Sequence, residues 1–375
     1  MAPLPDVGPS PTVAAIYLSY ESKPARHREH LGASIVGKDC CRELWYSFRW
    51  CAPPAFPGRV LRLFQSGFRE EPRVLANLRA IGCTVHETDP ETGKQFRYSR
   101  HGGHFGGSMD GVVLGIPEAP KTWHLLEVKT HNAKSFRQLE LHGVEKSKPV
   151  HATQMQVYMG LAGLKRGLYF AVCKDNDALY TERLRANSGA FQAAVDKARR
   201  VIAAVEPLTR IADSAEAFAC KFCDYKHLCH EGKVPPVSCR TCAHATPVLE
   251  GGWTCALEHG MGFEQQLQGC LEHLYIPALV PYAAPVDSGD GWVAYQVAGE
   301  ERYFINTAAG AFPGIDQPCY GSAELARVDA AAVGDPALER MRESLEGRVI
   351  KDDDATGAYS AKEVAAEVAK VRADG

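Results

Sequence analysis

Apolar and polar positions along this chain alternate in two registers, one with the period of a strand and one with the period of a helix. Strand-like runs occur at "CTVHETD" (83–89), "FGGSMDGVVLGIP" (105–117), "TWHLLEVKT" (122–130), "RGLYFAVCKD" (166–175) and "LYTERLR" (179–185). A polar hairpin is expected between the first two runs, and 122–130 is expected to pair with the glycine-punctuated run before it. Helical spacing occurs at 34–50, with Ser34 as the expected cap, and at 152–164. It occurs again at 58–81 through Val60, Phe64, Gly67, Phe68, Leu75 and Leu78, where Pro72 is expected to kink or divide the helix. At 189–205 the residues Phe191, Val195, Ala198, Ile202 and Val205 form one apolar stripe. Strands with helices on both sides predict an α/β core.

Beyond residue 215 the pattern weakens. A hairpin is expected at 291–306 with its turn at Ala298–Gly299, then an Ala-rich helix near 322–348. A last helix is expected to open on Ser360 and Glu363, a capping-box pair. No internal repeat is evident. Residues 1–30 read as a Pro-rich leader, irregular but for one strand at most.

A length of 375 residues predicts two or three domains, and 45% hydrophobic with 23% charged residues is ordinary for a soluble protein. No apolar run approaches the roughly 18 residues of a membrane span. The amino terminus lacks the basic region and apolar block of a secretion signal, so a cytoplasmic location is expected. A net charge of −3 excludes a basic coat that binds nucleic acid over its whole surface. A local groove remains open: Lys121, Lys129, Lys134, Arg137, Lys146 and Lys148 fall close together, although a solvated face explains them equally well.

One run poses a chemical question. In "HLLEVKT" (124–130) Glu127 and Lys129 interrupt an apolar strand, and at a spacing of two they point to the same face. The simplest reading is an ion pair on a wet face, worth little. Asp110 on the preceding strand-like run allows another: two carboxylates converging to hold a divalent cation, with a lysine beside the water or phosphate it activates. Gly106, Gly107 and Gly111 leave room for a close approach. Gln154 and Tyr158, at i and i+4, share one face of the following helix.

"SMDGVV", "LLEVKT" and "QMQVY" together resemble the PD-(D/E)XK nuclease superfamily, in particular its RecB-like branch. The resemblance covers roughly residues 30–232 and implies a restriction-endonuclease-like core, a central mixed sheet flanked by helices. It implies Asp110 and Glu127 as ligands of Mg2+ or Mn2+, Lys129 as catalytic, and Gln154 and Tyr158 as active-site helix residues. The proline of the superfamily's name is replaced by Met109. Where RecB-like members carry a metal-binding histidine in G-x-x-x-H, this chain has "GFREE", which makes Glu71 the candidate ligand and Glu70 the runner-up.

Thirteen cysteines are many for a chain without a secretion signal, and such density in the cytosol points to metal ligation rather than disulfides. Cys220, Cys223 and Cys229 are spaced C-x2-C-x5-C, one thiolate short of a closed site. The triplet is similar to that of AddB-type and CRISPR-adaptation nucleases, which implies a 4Fe-4S cluster completed by an upstream cysteine. Cys40 in "CCR" occupies that place, with Cys41 as the alternative and zinc as the rival metal. Such a centre would staple nearly the whole nuclease region. Cys239, Cys242, Cys255 and Cys270 resemble a four-thiolate zinc module, in which His244, His259 or His273 could replace one ligand. Cys51, Cys83, Cys173 and Cys319 are expected to be small core residues.

The sequence therefore predicts a leader at 1–30, a RecB-like nuclease domain with an iron–sulfur staple at 31–235, a four-cysteine metal-binding module at 236–285, and a small α+β region of no assigned role at 286–375. The expected activity is metal-dependent DNA cleavage, exonucleolytic on ends or single strands, in recombination, repair or phage DNA processing. The expected partners are DNA and a helicase or single-strand annealing protein, in a bacterial or phage-infected cytoplasm and without a membrane. A catalytically silent DNA-binding scaffold is the alternative. A ferredoxin-like redox protein is disfavoured, since it leaves the carboxylates and lysine unexplained and no dinucleotide-binding glycine motif follows a strand.

Overall fold

A computed structural model of the chain describes residues 10–23, 26–311, 313–314 and 316–345, and divides into two units. The first comprises residues 1–39 and 53–200, the second residues 40–52 and 201–375. The architecture is α/β, with mixed sheets flanked by helices.

The first unit is built on a five-stranded sheet in the spatial order Thr84–His86, Gly111–Leu114, His124–His131, Arg166–Cys173, Leu179–Arg185. His124–His131 runs antiparallel to Gly111–Leu114, with Gly111 opposite Leu126, and parallel to Arg166–Cys173, with Glu127 opposite Tyr169. Period-two alternation then divides this strand between two environments. Leu126 and Val128 join Val74, Leu75, Leu78, Val113, Leu168, Phe170 and Val172 in one apolar core beneath the helix Gly58–Ala80. Each such side chain contributes roughly 1.5–3 kcal/mol by leaving water. Glu127, Lys129 and His131 point to the opposite face.

A smaller sheet pairs Phe105–Ser108 with Leu31–Gly32 in parallel and with Arg97–Arg100 in antiparallel. The expected single strand at 105–117 is thus two. The chain leaves the small sheet at Ser108 and enters the large one at Gly111, so Asp110 sits at the passage between them.

Several helices differ from expectation. Pro72 does not divide Gly58–Ala80, a continuous element of 23 residues. The helix expected from Ser34 begins at Cys41, capped by the Cys40 Sγ, which accepts from the Glu43 N–H at 3.4 Å. Ser34 instead accepts from Arg28. The leader contains a helix, Pro11–Glu21, where a strand or irregular chain was expected; residues 1–9 lie outside the described residues. Ala133–Ser147 breaks at Gly143, whose φ of 71° suits glycine, and Glu182 accepts the released Val144 N–H at 2.8 Å. Pro149–Ala162 follows, its first residue a proline and its end marked by left-handed Gly163. In Ser188–Ala203 the stripe positions Val195, Ala198 and Ile202 are buried, whereas Val205 lies past the end and is 71% exposed.

The second unit has short elements: the helices Cys41–Phe48 and Lys226–His230, the hairpin Ala245–Pro247 with Trp253–Cys255, and a four-stranded sheet. The expected hairpin is present as Trp292–Val297 and Tyr303–Thr307. It is flanked by Ala283–Gly289, whose almost wholly exposed residues carried no strand signal, and by Cys319–Tyr320. Tyr295 and Phe304 stack at 5.2 Å, and Tyr320 meets Phe304 edge-on. The expected Ala-rich helix is two helices, Ser322–Leu325 and Pro336–Leu345, separated by turns that include left-handed Gly334. The helix expected from Ser360 and Glu363 lies outside the described residues. Among the described residues no helix is long and apolar enough to cross a membrane.

Candidate active site

Three elements of the first unit meet above the Glu127 face of the large sheet. The strand supplies Glu127, Lys129 and His131, and the passage between sheets supplies Asp110. The helix Pro149–Ala162 supplies His151, Gln154 and Tyr158, whose i, i+3, i+7 spacing places them on one face. Glu127 is fully buried. Its Oε1 accepts from the Gln154 amide at 2.7 Å and forms an ion pair with Lys129, while its Oε2 is buried without a hydrogen-bond partner. The Asp110 Oδ2 accepts from the Val128 N–H at 2.8 Å, which fixes that carboxylate beside the Glu127 strand. Tyr158 is buried against Gly107, where a Cβ would collide with the phenol hydroxyl. Gly106 and Gly107 also border a cleft of ≈ 770 Å³ whose walls include Arg28, His30 and Arg97.

The charges explain one another. Burial pushes the Glu127 carboxyl up to about 7; Lys129 pulls it down, and Asp110 and Glu71 push it further up. Burial opposes the Lys129 charge, but Glu127, Asp110 and Glu71 outweigh it and hold the ammonium above its ordinary range. Tyr158 is raised by burial and by Glu127 and Asp110, so it stays a neutral phenol. Glu71 is half-buried and raised, first by burial and then by Asp110, with Lys129 opposing. Glu70, by contrast, pairs with Arg73 at 3.4 Å. The structure thus brings Asp110, Glu127, Lys129, Gln154, Tyr158 and Glu71 into one electrostatic neighbourhood and turns Glu70 elsewhere.

Three neighbours escaped the sequence reading. Tyr169, fully buried on the adjoining strand, shares its hydroxyl with His131 at 2.9 Å and His151 at 2.8 Å. The signal was present: His131 continues the Glu127–Lys129 face by two residues, and His151 precedes Gln154 by three.

The metal expectations require correction. Among the described residues, one trio of His, Cys, Asp or Glu side chains has all its ligating atoms within 4.8 Å of one another: His259, Cys270 and Glu272. The carboxylates of Glu71, Asp110 and Glu127 are not gathered to that spacing, because like charges repel and Glu127 Oε1 is taken by Lys129 and Gln154. The expected 4Fe-4S set Cys40, Cys220, Cys223 and Cys229 borders one pocket, yet no cluster-competent arrangement forms there. The space inside is ≈ 20 Å³, about room for one water, and Cys40 is occupied as a helix cap. Burial raises the Cys220 thiol above its ordinary range. The expected zinc set Cys239, Cys242, Cys255 and Cys270 likewise fails to gather. Burial pushes Cys239 up to about 11, its Sγ donates to the Gln265 carbonyl, and Cys242 is raised as well. Cys41 remains half-buried, and Cys319, expected in a core, is half-exposed, whereas Cys51, Cys83 and Cys173 are buried.

No protein family matches the chain, and no curated protein matches it. Among solved structures it is similar to the alkaline exonuclease LHK-Exo from Laribacter hongkongensis, at 18% identity and a TM-score of 0.36 over 51% of this chain and 91% of that one. The complex of LHK-Exo with dAMP gives 17% and 0.34 over 51% and 91%. SSO0001 gives 12% and 0.35 over 59% of this chain and 96% of that one. The likeness to a nuclease is weak, and at these scores it decides nothing about chemistry.

Proposed function

We propose that this chain is a DNA nuclease of the PD-(D/E)XK type, with Asp110, Glu127 and Lys129 at its centre and Glu71, Gln154 and Tyr158 around them. The observation that carries this reading is the buried Glu127: a carboxylate wholly removed from water, with one oxygen held by Lys129 and Gln154 and the other without a partner. An unpaired buried carboxylate oxygen is costly, and such a cost is most often found where function needs it. Asp110 and Glu71 add two further carboxylates to its surroundings, not gathered to metal-binding spacing.

The chain's own residues divide the work. Gln154 orients Glu127 through its amide, and the Val128 N–H orients Asp110. Lys129, held protonated by three carboxylates, is placed to release Glu127 and to stabilise negative charge growing on phosphorus oxygens. The arginine-bordered cleft suits a polyanion although the whole chain is slightly acidic. DNA as substrate, its ends or single strands as the preferred form, and a role in recombination, repair or phage DNA processing rest on the motif resemblance.

The test is incubation of end-labelled single- and double-stranded DNA with Mg2+ or Mn2+, using wild type and Asp110→Ala from parallel preparations. Cleavage by wild type, lowered about 10³-fold or more in the variant, is expected. Folded wild-type protein that leaves both substrates intact, or cleavage undiminished in Asp110→Ala, would overturn the reading.

A further inference from the structure

The polar file does not stop at Lys129. Lys148 Nζ lies 2.8 Å from Ser135 Oγ, Ser135 Oγ 3.1 Å from His131 Nδ1, His131 Nε2 2.9 Å from the Tyr169 hydroxyl, and that hydroxyl 2.8 Å from His151 Nδ1. Among the described residues His151 Nε2 makes no hydrogen bond. We propose that His151 donates its Nε2–H to the substrate phosphate beside Lys129, in an orientation imposed by the file from Lys148 through Ser135, His131 and Tyr169. This rests on the nuclease reading of the same site.

The proposal takes one of the two directions that donor and acceptor capacity allows the file. A lysine can only donate, so Ser135 accepts from Lys148, and in this direction its own proton goes to His131 Nδ1. A neutral His131 then carries its proton on Nε2 and donates to Tyr169. The single Tyr169 proton is left for His151 Nδ1, which places the His151 proton on Nε2. Both imidazoles have reason to be neutral. Burial, then the charges of Lys148, Lys129 and Lys174, hold His131 down at about 4. Burial, then Lys129, His131 and Lys148, hold His151 down at about 3. His151 lies on the helix face that carries Gln154 and Tyr158, and Gln154 on that face is bonded to Glu127. Tyr169 cannot ionise to break the file, because burial and the Glu127 charge raise it. His151 is thus the group that meets substrate, and Ser135, His131 and Tyr169 are positioning residues.

Two measurements test this. The first uses protein labelled with 15N-histidine, in EDTA so that no DNA is cut, and a short single-stranded oligonucleotide as probe. The Nε2–H tautomer at His151, lost in Tyr169→Phe, and movement of the Nε2 resonance on adding the oligonucleotide are expected. An Nδ1–H tautomer, or a resonance that stays still, overturns the proposal whether or not the protein cleaves. The second measures cleavage. His151→Leu lowers kcat about 10- to 100-fold, the worth of one hydrogen bond to a charged group, while His151→Gln, which keeps an amide N–H, stays within about threefold of wild type. If His151→Leu cleaves like wild type while Asp110→Ala is dead, the inference fails and the nuclease reading stands. If folded wild type cuts nothing, the nuclease reading fails, and the resonance measurement alone decides whether His151 meets a phosphate strand.

Discussion

The two densest sets of reactive side chains in this chain, the carboxylates around Glu127 and the cysteines between residues 220 and 270, have opposite fates. In the first unit the backbone period does the assembly. Alternation along one strand and i, i+3, i+7 spacing along one helix force Glu127, Lys129, His151, Gln154 and Tyr158 to converge once sheet and helix pack. In the second unit the cysteines sit on short helices, turns and loops with no shared period, and their sulfurs are not drawn together. What organises that region is arginine. The buried Arg240 guanidinium lies 3.7 Å from the Trp50 ring centre and 4.7 Å from Trp253, and it donates to Gln266 and to the Phe48 carbonyl. Arg49 also lies over this aromatic group, 5.0 Å from Trp253 and 5.4 Å from Trp45. Spacing in sequence predicts a site only where a regular element converts it into distance.

The largest effect expected from this contrast is on chemistry. Lys129→Ala should lower DNA cleavage about 10³-fold with little change in melting temperature, because Glu127 can accept a proton once its partner is gone. Unfolding instead of inactivity would make Lys129 a structural counter-ion and undo the contrast between the regions. In the second unit the comparison runs through stability. Arg240→Ala should cost about 3–4 kcal/mol, the sum of desolvated cation–π contacts and two buried hydrogen bonds, while Cys255→Ser should cost less than about 1 kcal/mol. Denaturant midpoints of both variants give the answer. A cysteine variant as damaged as Arg240→Ala, or a midpoint lowered by a chelator, would return the cysteines to a structural role.

A titration sharpens the first half of the comparison. The folded-state pKa of Glu127 is raised to about 7 from the ordinary 4.5, so the folded protein binds this proton more tightly than the unfolded chain. Its contribution to stability is fully present below about 4.5 and lost as pH rises through about 7, a swing of about 3 kcal/mol at most. Lys129 keeps its charge across this window, since its pKa is raised. Urea midpoints in EDTA between pH 4.5 and 8 should therefore fall in wild type relative to Glu127→Gln. Parallel curves for the two proteins would show that Glu127 is ionised throughout.

Much of the first unit was legible because its elements are long enough to show a period. The pairing of Gly111–Leu114 with His124–His131, the helix over Gln154 and Tyr158, and the strand Arg166–Cys173 all follow from pattern. The helix start at Cys41 was not, because Ser34, a good cap by type, is engaged by Arg28. The strand Ala283–Gly289 was hidden by exposure on both faces, which leaves no alternation to read. Tyr169 was hidden differently: inside an apolar run an aromatic reads as core, and its hydroxyl acquires meaning only when the parallel register sets it beside Glu127. A sequence reports which face a residue occupies, whereas a site also depends on which strand lies next to it.

The smallest expected effect comes from two adjacent glutamates. Glu71 shares its surroundings with Asp110 and Lys129, while Glu70 meets Arg73, itself held at 3.3 Å by Asp177. Exposed pairs of that kind contribute about 0.2–1 kcal/mol, and Arg73 retains Asp177 when Glu70 is lost. Glu70→Gln should therefore leave cleavage unchanged and shift stability by less than about 0.5 kcal/mol. Glu71→Gln should lower cleavage about 10- to 100-fold, since it removes an oxygen charge that acts on both Asp110 and Lys129. The reverse order of effects would mean that the helix Gly58–Ala80 turns its other edge to the site, and that Pro72 changes the rotation of the helix without dividing it.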